Sequence, residues 1–295
     1  MAAFPVFCYG KLFLKFRWIG GVMLRLSGCF LVLLLVFVPL EVCAAEPAEA
    51  QAVQQILRAH DVVLALADLS TGAFFRYNEE RCQQPLPALA TLHLPLALWA
   101  LDAGVIKDAQ SVLPWNQMKY PVPLNEELSA WAQDHTLRSA FQQGILWYFQ
   151  ELTQRRAAAS WRRSLQKMKF GHGDFPPGAN TFATGDQLKI SVEEQLAFLQ
   201  ALYEERLPLS KRAQRVAKEL LIREQSPAYT LRAVSGSGMQ ENGKYLGWLV
   251  GWLETREATC VFALNLSGAD PETVTEPAVG LLKGVLKGLG YLPKT

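Results

Sequence analysis

Charge is scarce in this chain, at 19% of 295 residues, and it nearly balances, with 29 lysines and arginines against 27 aspartates and glutamates. Part of the positive charge sits at the start, where Lys11, Lys15, Arg17 and Arg25 stand against Glu41, so the net charge of +2 becomes about −1 for the remainder. A nucleic-acid partner held by electrostatics is thereby excluded. Half of the residues are hydrophobic, which excludes a disordered chain, and no internal repeat or low-complexity linker divides it. Cysteine is also scarce. Cys8, Cys29 and Cys43 fall in the first 45 residues, leaving Cys82 and Cys260, which no spacing obliges to pair; buried single thiols are preferred over a disulfide.

Long apolar runs are confined to one place. "MLRLSGCFLVLLLVFVPLEVCAA" joins a basic start to an apolar core from Cys29 to Leu40 and then to the small residues Cys43 and Ala45. This is the pattern of a secretory signal peptide, too short in its apolar core for a membrane span, and cleavage is expected near Ala45. Initiation at Met23 fits equally well. The "LSGC" at 26–29 spells a lipoprotein box but precedes the apolar run, so lipidation is not expected. The division is therefore a leader over 1–45 and one domain over 46–295, periplasmic or secreted, with no stable membrane span after cleavage.

The rest of the chain reads as strands at both ends with helices between. "DVVLALADL-STG-AFFRYN" is a hairpin signal, and "AYTLRAVSG", "YLGWLVGWLE" and "ATCVFALNL" read as strands, followed by a closing helix from about Pro277 to Leu289. The middle is rich in helix formers. These pieces imply an α+β domain: one antiparallel sheet assembled from the two termini, flanked by helices, with a central helical subdomain and a cleft between sheet edge and helices. The basic set Arg155, Arg156, Arg162 and Arg163 reads as a solvated helix face, and Trp147, Tyr148 and Phe149 read as core.

Residues 87–106, "PALATLHLPLALWALDAGVI", predict a buried helix that Gly104 stops. Its start is unusual. Ala90 and His93 lie three residues apart on one helical face, a bare methyl beside an imidazole, with Thr91 the sole hydroxyl of that turn.

Several longer stretches, "DLSTGAFFRYNEERCQQ", "LPLALWALDAGVI", "WYFQELTQR", "LKISVEEQLAFLQALYEERLPLS" and "GWLVGWLE" followed by "FALNL", resemble the class D (oxacillinase-type) serine β-lactamases and their penicillin-sensor and transpeptidase relatives. The resemblance covers nearly everything after Asp61. It implies the β-lactamase/transpeptidase-like fold. In that family the helix opens Ser-x-x-Lys, one turn setting the serine oxygen beside a lysine that carbon dioxide carboxylates and that serves as base. The matching positions here are Ala90 and His93.

The resemblance extends the same pattern to the other motifs. The family's Ser-x-Val matches Gly144-Ile145-Leu146, its Tyr-Gly-Asn matches Phe170-Gly171-His172, and its Lys-Thr-Gly matches Val234-Ser235-Gly236. The tryptophan that shields the modified lysine matches Ala183, and the arginine that holds the substrate carboxylate, placed before the last helix, matches Ala278.

The preferred reading is a catalytically inactive homologue acting by binding or interaction, with an unidentified protein or envelope ligand as partner. Its cleft is either closed by apolar side chains or reused, with Thr91, His93, His172, Ser235 and Gly236 as candidate binding residues. A working hydrolase using Thr91 and His93 is the alternative. A metal site at His93 and His172, with Asp174 nearby, is a weaker one. No cofactor and no metal is expected.

Overall fold

The computed structural model describes residues 48–121, 130–172 and 183–293, with side chains from Gln51 onward. The expected leader and Asp174 lie outside the described residues. Among these residues no helix is long and apolar enough to cross a membrane.

Helix α1 (Ala48–Arg58) leads into the expected hairpin, β1 (Asp61–Asp68) and β2 (Phe74–Tyr77). Asp68 organises its turn, Oδ1 accepting from the Ser70 N–H at 2.8 Å and Oδ2 from the Thr71 hydroxyl at 2.8 Å. A short strand β3 (Leu86–Pro87) precedes the 3₁₀ turn Leu89–Leu92 and α2 (His93–Asp102). After β4 (Val112–Leu113) and β5 (His135–Thr136) come α3 (Leu137–Gln143), α4 (Leu146–Gln154) and α5 (Ala158–Lys167). Strand β6 (Lys189–Ile190), α6 (Val192–Tyr203) and α7 (Lys211–Leu220) complete the helical part. The chain returns through β7 (Ile222–Gln225), β8 (Tyr229–Met239), β9 (Tyr245–Thr255) and β10 (Thr259–Gly268), and closes with α8 (Pro271–Gly288).

The six long strands form one antiparallel sheet in the order β2-β1-β10-β9-β8-β7, so the two ends of the chain meet where β1 pairs with β10. Alternation along β1 shows that both faces are covered. Val63, Ala65 and Ala67 pack with the helical part, whereas Val62, Leu64 and Leu66 pack against α1 and α8.

Helix α2 runs through the first of these cores with its first nine residues buried, Pro95 being tolerated in its first turn, and Gly104 at φ 66° follows its end as expected. Trp147, Tyr148 and Phe149 are buried, as read from the sequence. Cys82 and Cys260 are buried and unpaired, and burial pushes the Cys82 thiol up to about 11. Arg155, Arg156 and Arg163 are exposed.

One boundary differs. The closing helix was expected from about Pro277, but it begins at Pro271, with Asp270 Oδ1 accepting from the Thr273 N–H at 2.8 Å as N-cap. Two prolines competed for the first helical position, and the one preceded by a capping aspartate won.

Candidate functional site

The start of α2 is pressed against β8, and glycines make the approach possible. A Cβ on Gly236 would lie 2.7 Å from the Ala90 nitrogen, one on Gly238 would lie 2.8 Å from Leu89 Cδ2, and one on Gly185 would lie 2.2 Å from the Leu89 carbonyl oxygen. Leu89 itself is held at φ 51°, a left-handed conformation that costs a non-glycine residue about 1–3 kcal/mol. It is pinned by its own N–H to Gly185 O at 3.1 Å and by the Ala88 N–H to Leu188 O at 2.8 Å. The framework spends conformational energy to set residue 90 at the edge of the sheet. There it presents only a methyl group.

The Gly236 contact gives a direct prediction. Gly236→Ala would place a carbon against backbone that cannot swing away, and should destabilise the protein by about 1–3 kcal/mol, read as a drop in the thermal midpoint. An unchanged midpoint would mean that α2 and β8 are less closely held than the distances show.

Around Ala90 the former motif positions divide. Thr91 is buried, its hydroxyl donating to Ala88 O at 2.6 Å and accepting from Gln195 Nε2 at 2.7 Å. His93 is 4% exposed, lies flat on Phe149 with ring centroids 4.0 Å apart and planes 4° apart, and has Nε2 3.2 Å from Ala183 O. That carbonyl can only accept, so Nε2 carries the proton. Burial lowers the His93 pKa from 6.5 to about 4, leaving the ring neutral near pH 7.

Ala183 is buried and contributes its carbonyl, so positions 93 and 183 are joined by a hydrogen bond. Gly144 caps α3 at φ 65°, and a Cβ there would meet nothing within 4 Å. Phe170 is buried edge-on to Phe198, and Gly171 at φ 75° has its Cβ position 2.7 Å from Lys189 O. His172 is exposed, its N–H on Lys189 O and its Nε2 3.4 Å from Glu194 Oε2. The two histidines are therefore engaged separately, and among the described residues no group of three or more His, Cys, Asp or Glu could hold a metal.

On the strand side Val234 and Gly236 face the helices, while Ser235 is exposed. Strand β7 pairs with Thr230–Arg232, and the Ala233 N–H reaches Leu221 O; among the described residues, from Val234 onward β8 is paired with β9 alone. Alternation puts the N–H and C=O of Ser235 and Ser237 on the same side as those of Ala233, along the open edge. The site thus keeps, among the described residues, an unpaired strand edge beside a helix start.

Ala278 is the position the structure corrects. It was matched to the family's arginine in the cleft, but it lies inside α8, buried with Val274, Leu281 and Leu282 against the sheet face opposite to His93. The helix starts six residues earlier than expected, so residue 278 stands in its interior, on the sheet-facing stripe, instead of in its first turn. Leu89, Gly185, Gly238 and Gln195 were not singled out from the sequence. The alternate glycines 236 and 238 were a readable sign of close backbone approach, whereas nothing local marks Leu89.

The fold and this constellation define a class. The penicillin binding protein transpeptidase domain matches residues 63–280. "Probable beta-lactamase YbxI" of Bacillus subtilis (strain 168) is 30% identical over 217 residues, covering 73% of this chain and 78% of that protein. Beta-lactamase OXA-48 of Klebsiella pneumoniae is 29% identical over 213 residues, covering 72% and 76%. Among solved structures, the class D β-lactamase YbXI from Nostoc superposes with a TM-score of 0.73 at 25% identity, covering 83% of this chain and 99% of that one. The class D enzyme of Sebaldella termitidis ATCC 33386 gives 0.75 at 26%, covering 82% and 96%. This chain belongs to the penicillin-binding transpeptidase domain family, on its class D β-lactamase branch.

Proposed function

We propose that this chain is a non-hydrolysing member of the class D β-lactamase branch that acts by binding, with the open edge of β8 beside Ala90 as the place where a peptide-like ligand would lie. The observation that carries this reading is the contrast within one contact. The backbone approach of Ala90 to Gly236 is maintained, yet residue 90 has no nucleophilic atom. Residue 93 is an imidazole occupied by Phe149 and Ala183. A strand edge can bind an extended chain through backbone hydrogen bonds without any catalytic side chain. The N-terminal apolar segment supports a site of action outside the cytoplasm.

The decisive measurement is the intact mass of the protein after exposure to excess benzylpenicillin. The mass should be unchanged and nitrocefin should be consumed no faster than in buffer. A gain of one drug molecule, located on Thr91 or Ser235, would overturn the reading in favour of a hydrolase with substituted residues.

Non-covalent β-lactam binding should be weak as well. Val234 replaces the cation of the sheet-edge motif, and one charged hydrogen bond is worth about 1.5–3 kcal/mol, roughly ten- to a hundredfold in affinity. Calorimetric titration should therefore show no micromolar binding of a penicillin.

A further inference from the structure

Away from the cleft, α5 and the C-terminal end of α2 enclose a groove of about 310 Å³ that the proposed function does not use. The buried Trp99 lies at its base, and Pro208 and Leu209 line its apolar side. Its opposite wall is one face of α5. Ser160, Arg163, Ser164 and Lys167 fall at i, i+3, i+4 and i+7, so all four line it together.

The charges on that wall lack counterparts among the described residues. Among the described residues, neither Arg163 nor Lys167 is in an ion pair with a carboxylate. Like charges one turn apart on a helix repel, so the pair is unfavourable as it stands. Asp102, the carboxylate on the groove wall, lies beyond ion-pair distance of both and accepts the Ser210 N–H at 2.7 Å. The carbonyl of Ala103, at the negative end of α2, is already met by Arg156 Nη2 at 3.4 Å.

The hydroxyls point to the same use. Ser160 Oγ accepts from Trp99 Nε1 at 3.1 Å, which fixes the oxygen and leaves its own proton to be donated. A guanidinium, an ammonium and two hydroxyl groups converging on a concave, partly apolar site suit a tetrahedral oxyanion, which accepts hydrogen bonds from several directions. We propose that the groove between α5 and the end of α2 is a phosphate-binding site, with Arg163 and Lys167 as its charge anchors and Ser160 as a hydroxyl donor. The volume exceeds that of inorganic phosphate alone, which leaves room for the organic part of a phosphate ester beside Pro208 and Leu209.

The experiment is a titration of the protein lacking its leader with inorganic phosphate, followed by calorimetry or phosphorus NMR line broadening, with acetate as the carboxylate control. The comparison is the double variant Arg163→Gln/Lys167→Gln, both positions being exposed. Saturable phosphate binding is expected, weakened at least tenfold in the double variant, whose thermal midpoint should be equal to or above that of the parent because a repulsion is removed. Phosphatidylglycerol vesicles set against phosphatidylcholine vesicles then identify the source. Co-sedimentation lost in the double variant places the phosphate on a lipid headgroup, and phosphate binding without co-sedimentation places it on a soluble ester. Absence of saturation, equal affinity in the double variant, or acetate bound as tightly as phosphate would overturn the proposal. So would a lowered midpoint without phosphate binding, which would mean that the two cations only offset the α2 dipole.

Discussion

The double variant Ala90→Ser/His93→Lys will hydrolyse nitrocefin no faster than background and will melt below the parent. It restores the serine and the lysine that the family's motif places one turn apart. Groups that act as a unit are non-additive in catalysis, so restoring part of a set returns little of its activity. Gly144 would still offer no hydroxyl, Val234 no cation, and Ala183 no indole wall. The stability loss has a separate cause. The pocket at residue 93 is shaped to a flat ring lying on Phe149 and bonded to a carbonyl, and it holds no carboxylate partner that any described contact shows. Forcing a lysine to lose its charge there at neutral pH costs on the order of 4 kcal/mol, given burial shifts of 3–5 pKa units. For a domain of this size that is a fall of roughly 10 °C. Turnover within tenfold of an active class D enzyme, or an unchanged midpoint, would show that the cleft had lost only its nucleophile.

Stability of the parent will fall steeply with acid between pH 6.5 and 4, and the variant His93→Phe will lose much of that slope. The sign follows from the direction of the shift. Burial lowers the pKa of His93 from 6.5 to about 4, so within this window the unfolded chain binds a proton that the folded chain refuses. Protons then favour the unfolded state; the stabilisation is complete above pH 6.5 and is lost as pH falls toward 4. The separation corresponds to about 3 kcal/mol at 1.36 kcal/mol per unit. Phenylalanine preserves the stack on Phe149 while removing the titration, so urea denaturation at pH 7.5 and pH 4.5 isolates the effect. Equal losses in parent and variant would show that the imidazole is charged in the folded state or is hydrated.

The layered α+β architecture was readable because its signals are local. The β1–β2 hairpin is written in strand periodicity around Ser-Thr-Gly, α2 in its apolar run and its terminal glycine, and the helical middle in its composition. The family followed from long matched stretches, and the substitutions at 90, 93, 144 and 234 were visible by their place within them. Where the match was thin, near the last helix, the reading failed. Asp270 rather than Pro277 sets the helix start, and Ala278 moved from the cleft into the core.

What the sequence determined by itself was therefore which atoms are present: a methyl at 90, an imidazole at 93, no cation at 234. What only the tertiary structure decided was what those atoms do. The His93 ring is neutral because it is buried against Phe149, 56 positions away, and this exclusion of water outweighs the opposing effect of the Ala183 carbonyl, 90 positions away. The strained φ of Leu89 persists because Gly185, Gly236 and Gly238, all remote in the chain, leave room for it. The open edge of β8 exists because β7 stops pairing at Arg232. Periodicity and propensity act over a few residues, whereas desolvation, close backbone approach and strand pairing depend on groups that meet only when the chain has folded.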